Sequence, residues 1–364
     1  MSDEAQAPIQ SWPAGQMSDA ALAFMRACGY FALKVLRNGL AIALQLLAVS
    51  IVIFFILRII PADPLSMLTP GNATHEDAEQ IRHAYGLDRP IYEQYFIWLG
   101  AAVHGDLGNS IQAREPVTNL ILAALPMTVE LAFCGLGLGV LLGALLGLTA
   151  FWYRGRPVER IGETVASLAQ SIPDFLWGIC FVLLFGLWLN VLPFIGPMDP
   201  GRIVERRSGF LLIDTLLAGR WDAFGDRLLH LILPATALAM LKVALVMRVL
   251  RSSLIEAYQD EYVNAARLRG VGEGAVLFRH ALRNAAIPTV ALIGVQAAQT
   301  FGGTLLIESI YSLPGMGNLL ITAIRTHDLP LIQGISLTYC AIVLLVNALV
   351  DLSYLWLNPR LRRQ

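Results

Sequence analysis

Charged residues are scarce in this sequence. Asp, Glu, Lys and Arg make up 15% of the 364 residues, and only two positions, Lys34 and Lys242, are lysines. Hydrophobic residues make up 56% and the mean hydropathy is +0.61, both outside the range of soluble domains. The composition therefore excludes an ordinary soluble protein and predicts a chain that lives in a lipid bilayer.

The common patterns of hydrolytic and metal catalysis are also missing. Neither lysine follows a glycine or precedes Ser or Thr, so the sequence contains no P-loop for a nucleotide phosphate. It contains no His-Glu-x-x-His pattern and no Gly-x-Ser-x-Gly elbow. The six histidines and four cysteines are scattered, which predicts neither a disulfide nor a metal site. We expect no catalytic residue, metal or cofactor, although a membrane-embedded enzyme with residues on separate helices stays open as an alternative.

Six apolar stretches are present, each long enough to cross a membrane. The hydrocarbon layer is about 30 Å thick, which takes roughly 20 helical residues. Because a helix satisfies its own backbone groups in lipid, the stretches predict an all-α polytopic membrane protein with six transmembrane helices. They cover residues 39–60, 129–150, 164–189, 229–250, 287–310 and 331–357.

These stretches also predict the organisation of the chain. Arg and Lys are denser in the short loops of one side, which places both termini in the cytoplasm. Residues 1–25 have neither the positive charge nor the apolar core of a signal peptide. The predicted parts are a cytoplasmic leader 1–35, a first transmembrane helix 36–60, an extracytoplasmic subdomain 61–128, and a core 129–364 with five transmembrane helices and a cytoplasmic loop 251–286.

Polar residues inside the predicted spans are few. Such groups are costly in a membrane and normally face a partner or a water-filled path, so pathway lining and structural pairing are both open for them. They are Gln170, Lys242, Gln296, Gln299 and Glu308.

Glycine recurs at every fourth position of the second predicted span. Small residues at this spacing allow close helix contact. The pattern favours packing within the chain, and its members are Gly135, Gly139, Gly143 and Gly147.

A segment rich in Pro and Gly follows the fifth predicted span. Pro314 and Gly315 lie in it, with Arg325 and Asp328 nearby. Two interpretations are open: an outer gate or binding-protein contact with the two charged residues on its rim, or a plain re-entrant turn.

An Arg-rich polar stretch, residues 262–288, lies between two apolar runs. Ala265, Ala266 and Gly270 are spaced as on one helix, and five arginines occur from Arg251 to Arg283. Small side chains allow another protein to approach the backbone closely, which predicts a cytoplasmic docking element.

This stretch resembles the cytoplasmic EAA loop of binding-protein-dependent ABC importer permeases, whose pattern is Glu-Ala-Ala, three residues and Gly. Here the pattern reads Asn264-Ala265-Ala266-Arg267-Leu268-Arg269-Gly270. The later His280-Ala281-Leu282-Arg283 and Pro288 are similar to the dipeptide, oligopeptide and nickel branch, the DppB or OppB type. Further similar stretches follow from about residue 36 onward, among them Pro61-Ala62-Asp63-Pro64, Gly86-Leu87-Asp88-Arg89-Pro90, Gly105-Asp106-Leu107-Gly108, Leu313-Pro314-Gly315-Met316-Gly317, Asn347-Ala348-Leu349-Val350-Asp351 and Asn358-Pro359-Arg360.

The resemblance implies an ABC importer permease fold with an EAA-type coupling helix, in the inner membrane of a bacterium. It implies a second similar permease, two cytoplasmic ATPase subunits that hydrolyse ATP, and an extracytoplasmic binding protein as partners, besides membrane lipid and without nucleic acid. The implied docking residues are Asn264, Ala265, Ala266, Arg267, Arg269 and Gly270. The candidate pathway or gate residues are Gln296, Gln299, Glu308, Pro314, Gly315, Arg325 and Asp328.

The implied substrate is a dipeptide or oligopeptide. A nickel chelate or glutathione is the alternative within the same architecture. A membrane-embedded enzyme or scaffold without transport is the alternative from another class.

Overall fold

The computed structural model describes residues 14–59 and 89–357, with side chains for 36–59 and 89–353. Residues 1–13 of the predicted leader, residue 60 of the first predicted span, residues 61–88 of the predicted external subdomain, and the final Asn358-Pro359-Arg360 lie outside the described residues. The chain divides into two units, Met1–Ala48 and Val49–Gln364. The features below belong to the second unit, apart from the first part of helix α1.

The described residues are helical, with one isolated β-bridge between Asn109 and Pro116. This confirms the all-α prediction. The helices are α1 (Ala14–Ile59), α2 (Ile91–Val103), α3 (Val117–Trp152), α4 (Pro157–Ser171), α5 (Asp174–Phe181, continued by π-helical turns Val182–Trp188), α6 (Leu211–Leu217), α7 (Trp221–Ala257), α8 (Glu261–Leu268), α9 (Leu282–Ile310), α10 (Met316–Arg325) and α11 (Leu329–Leu357).

Five of the described helical segments are long and apolar enough to span a membrane. They are Leu36–Ile59, Val117–Trp152, Trp221–Ala257, Glu273–Ile310 and Leu329–Ser353. The sixth prediction, residues 164–189, does not form a continuous helix. It falls on α4 and α5, between which the chain bends by 103°. Pro173 causes the break, because it lacks a backbone N–H and disfavours the helical conformation of the residue before it.

The glycine ridge of α3 packs on α7. Cβ atoms built on Gly135, Gly139 and Gly143 would lie 2.8, 2.7 and 2.7 Å from the Cβ atoms of Leu238, Lys242 and Val246 respectively. The predicted packing within the chain is therefore confirmed. Because the partner numbers rise in step, α3 and α7 run in the same direction.

Two helices in the same direction require the chain to return between them. It leaves the far end of α3 at Trp152 and starts α7 at Trp221. The bent α4–α5 pair is the segment between them that has the length and hydropathy of a span. It therefore carries the chain back across the bundle, as one broken span.

The remaining spans alternate in direction. Gly303 lies beside Leu238, whereas Ala285 shares a buried cluster with Leu254, so α9 runs opposite to α7. Thr304 lies 3.4 Å from the hydroxyl of Tyr339, and α11 runs opposite to α9 in turn. The bundle thus has an arginine-rich end, residues 153–156 and 258–281, and a turn-rich end, residues 104–116, 189–220 and 311–328.

Candidate functional site

The predicted docking element forms helix α8 at the arginine-rich end. Asp260 is extended and precedes the helix, and Gly270 ends it with φ +80°. The amide of Val271 donates to the carbonyl of Ala266 at 3.2 Å, and the amide of Gly270 to that of Arg267 at 2.9 Å. This pair of bonds is the Schellman arrangement, which needs a left-handed residue and favours glycine there. Gly270 therefore stops the helix in a defined turn.

One face of α8 is buried in its own chain. Val263 is fully buried and Ala266 nearly so, in a cluster with Leu254, Leu277 and Ala281. Ala266 therefore packs against its own chain, and its side chain is not available for contact with another protein. The same cluster includes residues of α3, α7 and the start of α9, so α8 is connected to three membrane helices through it.

The opposite face of α8 is open. Asn264, Arg269 and Gly270 are exposed, Ala265 is half-buried, and Leu268 has 90% of its surface exposed. An apolar side chain this exposed between two arginines was not among the predicted site residues. A leucine inside a polar, Arg-rich run is the sequence signal that identifies it.

Arg267 is held by the chain itself. Its guanidinium donates to both carboxylate oxygens of Glu273, at 2.7 and 3.1 Å, and lies 5.1 Å from the ring centroid of Tyr258. A bidentate pair of this kind fixes both side chains. Arg267 therefore stiffens the loop after α8, whereas Arg269 is exposed and forms no ion pair within the described part of the chain.

The segment after α9 is organised around Glu308. This carboxylate is fully buried and accepts from the amides of Gly317 at 2.7 Å and Asn318 at 3.3 Å. Those amides belong to the first turn of α10, so Glu308 caps that helix from outside. Gly315 lies directly against the carboxylate, while Pro314 is exposed. Oε2 of Glu308 thus has a structural role, whereas Oε1 has no hydrogen-bond partner among the described residues, and pathway lining by Glu308 stays a prediction.

Asp328 is not a rim residue. It is fully buried and precedes α11, where its carboxylate accepts from the amide of Leu331 at 3.2 Å. The other carboxylate oxygen accepts from the hydroxyl of Ser110 and the amide of Gln112. Asp328 is thus an N-cap that also ties the turn before α3 to α11. Arg325, by contrast, is exposed as predicted for a rim position.

The three glutamines have different surroundings. Gln296 is buried, with no hydrogen-bond partner for Oε1 among the described residues. Gln299 is exposed on the same helix. Gln170 accepts from the guanidinium of Arg248 at the end of α4.

Lys242 pairs with Asp174 at the break of the third span. Nζ of Lys242 lies 3.0 Å from Oδ2 of Asp174, with 2% and 17% of the side chains exposed. A cavity of about 290 Å³ lies beside Asp174, between the break and helices α7 and α9.

A second buried ion pair joins α3 and α7. Arg227 is fully buried, and its Nη2 lies 2.7 Å from Oε1 of Glu130. The guanidinium also donates to the carbonyl of Pro197 at 2.8 Å, and Glu130 accepts from the amide of Leu212 at 3.1 Å. This pair therefore anchors the turn-rich end onto two membrane helices.

Sequence reasoning missed Asp174, Glu130 and Arg227 as polar residues of the spans. Asp174 directly follows the helix-breaking Pro173, and Glu130 lies between Val129 and Leu131 in a predicted span. Both carry a recognisable signal, namely an acidic residue in an apolar run. Arg227 has none, because it lies two residues before the predicted span that begins at 229.

The sequence matches known protein families. The family described as binding-protein-dependent transport system inner membrane component matches residues 139–363, and the family of its N-terminal part matches residues 32–132. The chain belongs to this family. Its members are inner-membrane transport components, as the resemblance of the Arg-rich stretch predicts.

Individual relatives cover nearly the whole chain. The di/tripeptide transport system permease protein DppB of Pseudomonas aeruginosa is 36% identical over 90% of this chain and 98% of its own length. The dipeptide transport system permease protein DppB of Escherichia coli is 33% identical over 90% and 98%. The probable D,D-dipeptide transport system permease protein DdpB of Escherichia coli is 34% identical over 88% and 95%. The match to the DppB type of permease is thus confirmed.

Proposed function

We propose that this chain is the permease subunit of an ATP-driven importer of dipeptides and other short peptides. The observation that carries the proposal is its similarity, over nearly its whole length, to permeases named for di- and tripeptide transport. The fold is consistent with this role, because the chain is a bundle of membrane helices with polar segments at both ends.

The proposed assembly contains a second similar permease, two ATPase subunits at the arginine-rich end, and a binding protein at the turn-rich end. The arginine-rich end faces the cytoplasm in this proposal, with both termini on that side. Support comes from the density of arginine in the short segments 153–156 and 258–281, since Lys and Arg near span ends set orientation.

Helix α8 is the proposed point of attachment for an ATPase. Leu268 offers an apolar anchor and Arg269 a charged one, on a helix whose opposite face is packed against the bundle. A rigid support lets a push on α8 reach α3, α7 and α9 together. Movement of the ATPases on binding ATP would then shift the spans between inward-open and outward-open states.

Uptake of labelled dialanine tests the substrate. The complete system, produced in a bacterium deleted for its own peptide permeases, should accumulate dialanine, and uptake should stop when either ATPase is inactivated. Arms with D-Ala-D-Ala, a nickel chelate and glutathione compare the alternatives. Accumulation of the nickel chelate alone would contradict the peptide proposal, and uptake that continues without the ATPases would contradict the importer.

Gly270→Trp tests the attachment, with Gly155→Trp as its matched control. Both glycines have a left-handed backbone, φ +80° and +78°, and neither would bring a Cβ within 4 Å of another atom. Because the two φ values are similar, the strain that tryptophan introduces should also be similar. Both glycines lie at the arginine-rich end. We expect ATPase subunits to co-purify with wild type and Gly155→Trp and to be lost from Gly270→Trp. Equal recovery from both variants would contradict docking at α8.

A further inference from the structure

The break of the third span lies near the middle of the bundle. Ile172 and Pro173 interrupt the helix beside Lys242, which is in the centre of α7. Irregular backbone at membrane depth is tolerated where protein covers it or where it lines a water-filled space. Discontinuous helices of this kind are also where transporters place their ligand sites.

The cavity beside this break, which we name the break cavity, is bounded by three spans. Residues 170–175 line one side, and Leu241, Gly302 and Leu306 line the other. Its volume of about 290 Å³ lies at the small end of ligand pockets, roughly 300–1,000 Å³. A Cβ on Gly302 would meet no atom within 4 Å, so the cavity is open at this glycine. A short ligand fits this space.

One carboxylate lies at the break cavity, that of Asp174, and one of its two oxygens has no hydrogen-bond partner among the described residues. Oδ2 of Asp174 pairs with Lys242, whereas Oδ1 is buried and has no hydrogen-bond partner among the described residues, and 17% of the side chain is exposed. Lys242 is almost wholly buried. Buried ion pairs seldom add to stability, which favours a role in binding. The natural ligand of a carboxylate in such a site is an ammonium group.

The broken backbone adds groups of both signs. The carbonyl of Ala169 accepts from the indole N–H of Trp177 at 3.3 Å, and the amides of Leu176 and Trp177 donate to the carbonyl of Pro173. The other carbonyls at the end of α4 and the first two amides of α5 lack intrahelical partners. They form a negative and a positive helix pole at one place. A free peptide has an ammonium group at one end, and amide and carboxylate groups along the rest. The break cavity therefore offers partners to each part of a short peptide.

Resting on the peptide importer proposed above, we infer that the break cavity is a transit site for short peptides, in which Asp174 binds the amino-terminal ammonium group. The peptide passes this site after leaving the binding protein.

Protection of a cysteine at position 302 tests the inference. The native cysteines Cys28, Cys134, Cys180 and Cys340 are replaced by alanine, and Gly302→Cys is introduced into the full complex in nanodiscs. The thiol should react with N-ethylmaleimide, since reaction needs a water-exposed thiolate. Millimolar dialanine should slow this reaction several-fold, whereas N-acetyl-dialanine, which has no ammonium group, should not. A thiol that never reacts, or equal protection by both peptides, would overturn the inference.

Gly100→Cys is the matched control for labelling. Gly100 is also an exposed helical glycine without an atom within 4 Å of a built Cβ, but it lies on α2, away from the break cavity. Dialanine should leave its rate unchanged. Slowing at both positions would show a general effect of the peptide and overturn the site.

Asp174→Asn should abolish protection by dialanine, and Asp174→Glu should restore it. Asp174→Glu controls for folding of a variant at this position, and the N-acetyl comparison needs no variant of Asp174 at all. Full protection by dialanine in Asp174→Asn would show that Asp174 does not bind the peptide.

Dialanine uptake by the same complex separates this inference from the proposed function. Uptake without protection at position 302 would contradict the break cavity alone. Protection without uptake would contradict the importer and leave a peptide site.

Discussion

The Glu130–Arg227 ion pair is the most deeply buried one among the described residues. Replacing Glu130 by Ala leaves the Arg227 guanidinium buried without its carboxylate. We expect a loss of about 3–5 kcal/mol in the free energy of unfolding, measured by denaturant titration in micelles. Asp222→Ala breaks the exposed Arg220 pair and should have no measurable effect.

The double variant Glu130→Leu with Arg227→Met separates a missing partner from a missing contact. Two apolar side chains leave no unpaired charge, so most of the stability should return. A double variant as unstable as Glu130→Ala would show that the helices need the ion pair itself.

Glu308 is the residue on which the start of α10 depends. Glu308→Ala removes the acceptor of the Gly317 and Asn318 amides, and each buried amide left unpaired costs about 1–3 kcal/mol. Hydrogen exchange at these two amides should accelerate. Glu308→Gln retains an acceptor and should change it less, and the exposed Glu115→Ala should not change it. Unaltered protection in Glu308→Ala would contradict the capping role.

At the scale of single elements, the contact of α3 with α7 depends on the absence of side chains. A Cβ on Gly143 would lie 2.7 Å from Cβ of Val246 and 2.9 Å from the carbonyl oxygen of Val243. Gly143→Ala must therefore push two helices apart, at a cost of about 1–3 kcal/mol. Gly137→Ala on the same helix meets no atom within 4 Å and should leave stability unchanged or raise it by roughly 0.5–1 kcal/mol. Thermal unfolding compares the stability of the two variants. Equal unfolding temperatures would contradict the packing of the glycine ridge of α3 on α7.

The segment before α6 depends on pH through Asp214. Burial raises the pKa of this carboxyl, but hydrogen bonds from the Ser208 hydroxyl and from the amides of Ser208 and Gly209 outweigh it and hold the pKa below its ordinary value of 3.8. The stability that this provides is therefore present above pH 3.8 and is lost as the pH falls through the lower, folded-state pKa. Hydrogen exchange in residues 203–217 should rise there. Asp214→Asn should lack this acid transition, and an unchanged transition would assign it to another group.

The sequence predicts the helices of this chain better than the bends and contacts at their ends. Hydropathy locates the five long membrane helices and the bent α4–α5 segment, because roughly 20 apolar residues in a row leave few alternatives. The bend at Pro173 and the burial of Asp328 depend on neighbours that are far apart in sequence. Ala266 faces inward for the same reason, since small residues suit both a packed and an open face. Resemblance to a family located α8, while its exposed Leu268 became visible only with the fold.

At the scale of the whole molecule, the two ends of the bundle should react from opposite sides of the membrane. Single cysteines at Gly201 and Gly272, both exposed, mark the turn-rich and arginine-rich ends. In spheroplasts from which the outer membrane has been removed, a membrane-impermeant maleimide should label Gly201→Cys at once and Gly272→Cys only after the inner membrane is opened. The reverse result would invert the proposed orientation.

The parallel packing of α3 and α7 also has a consequence for biosynthesis. The two helices are separated in the chain by the whole bent span and the segment around α6, so the ribosome completes α3 long before its partner exists. During that interval the glycine face of α3 has only lipid or insertion machinery to contact. Contacts between distant parts of a chain form late, and this one cannot form until α7 has entered the bilayer. A chain truncated before Trp221 should therefore insert and yet be degraded quickly, since its second span has no protein surface to close against.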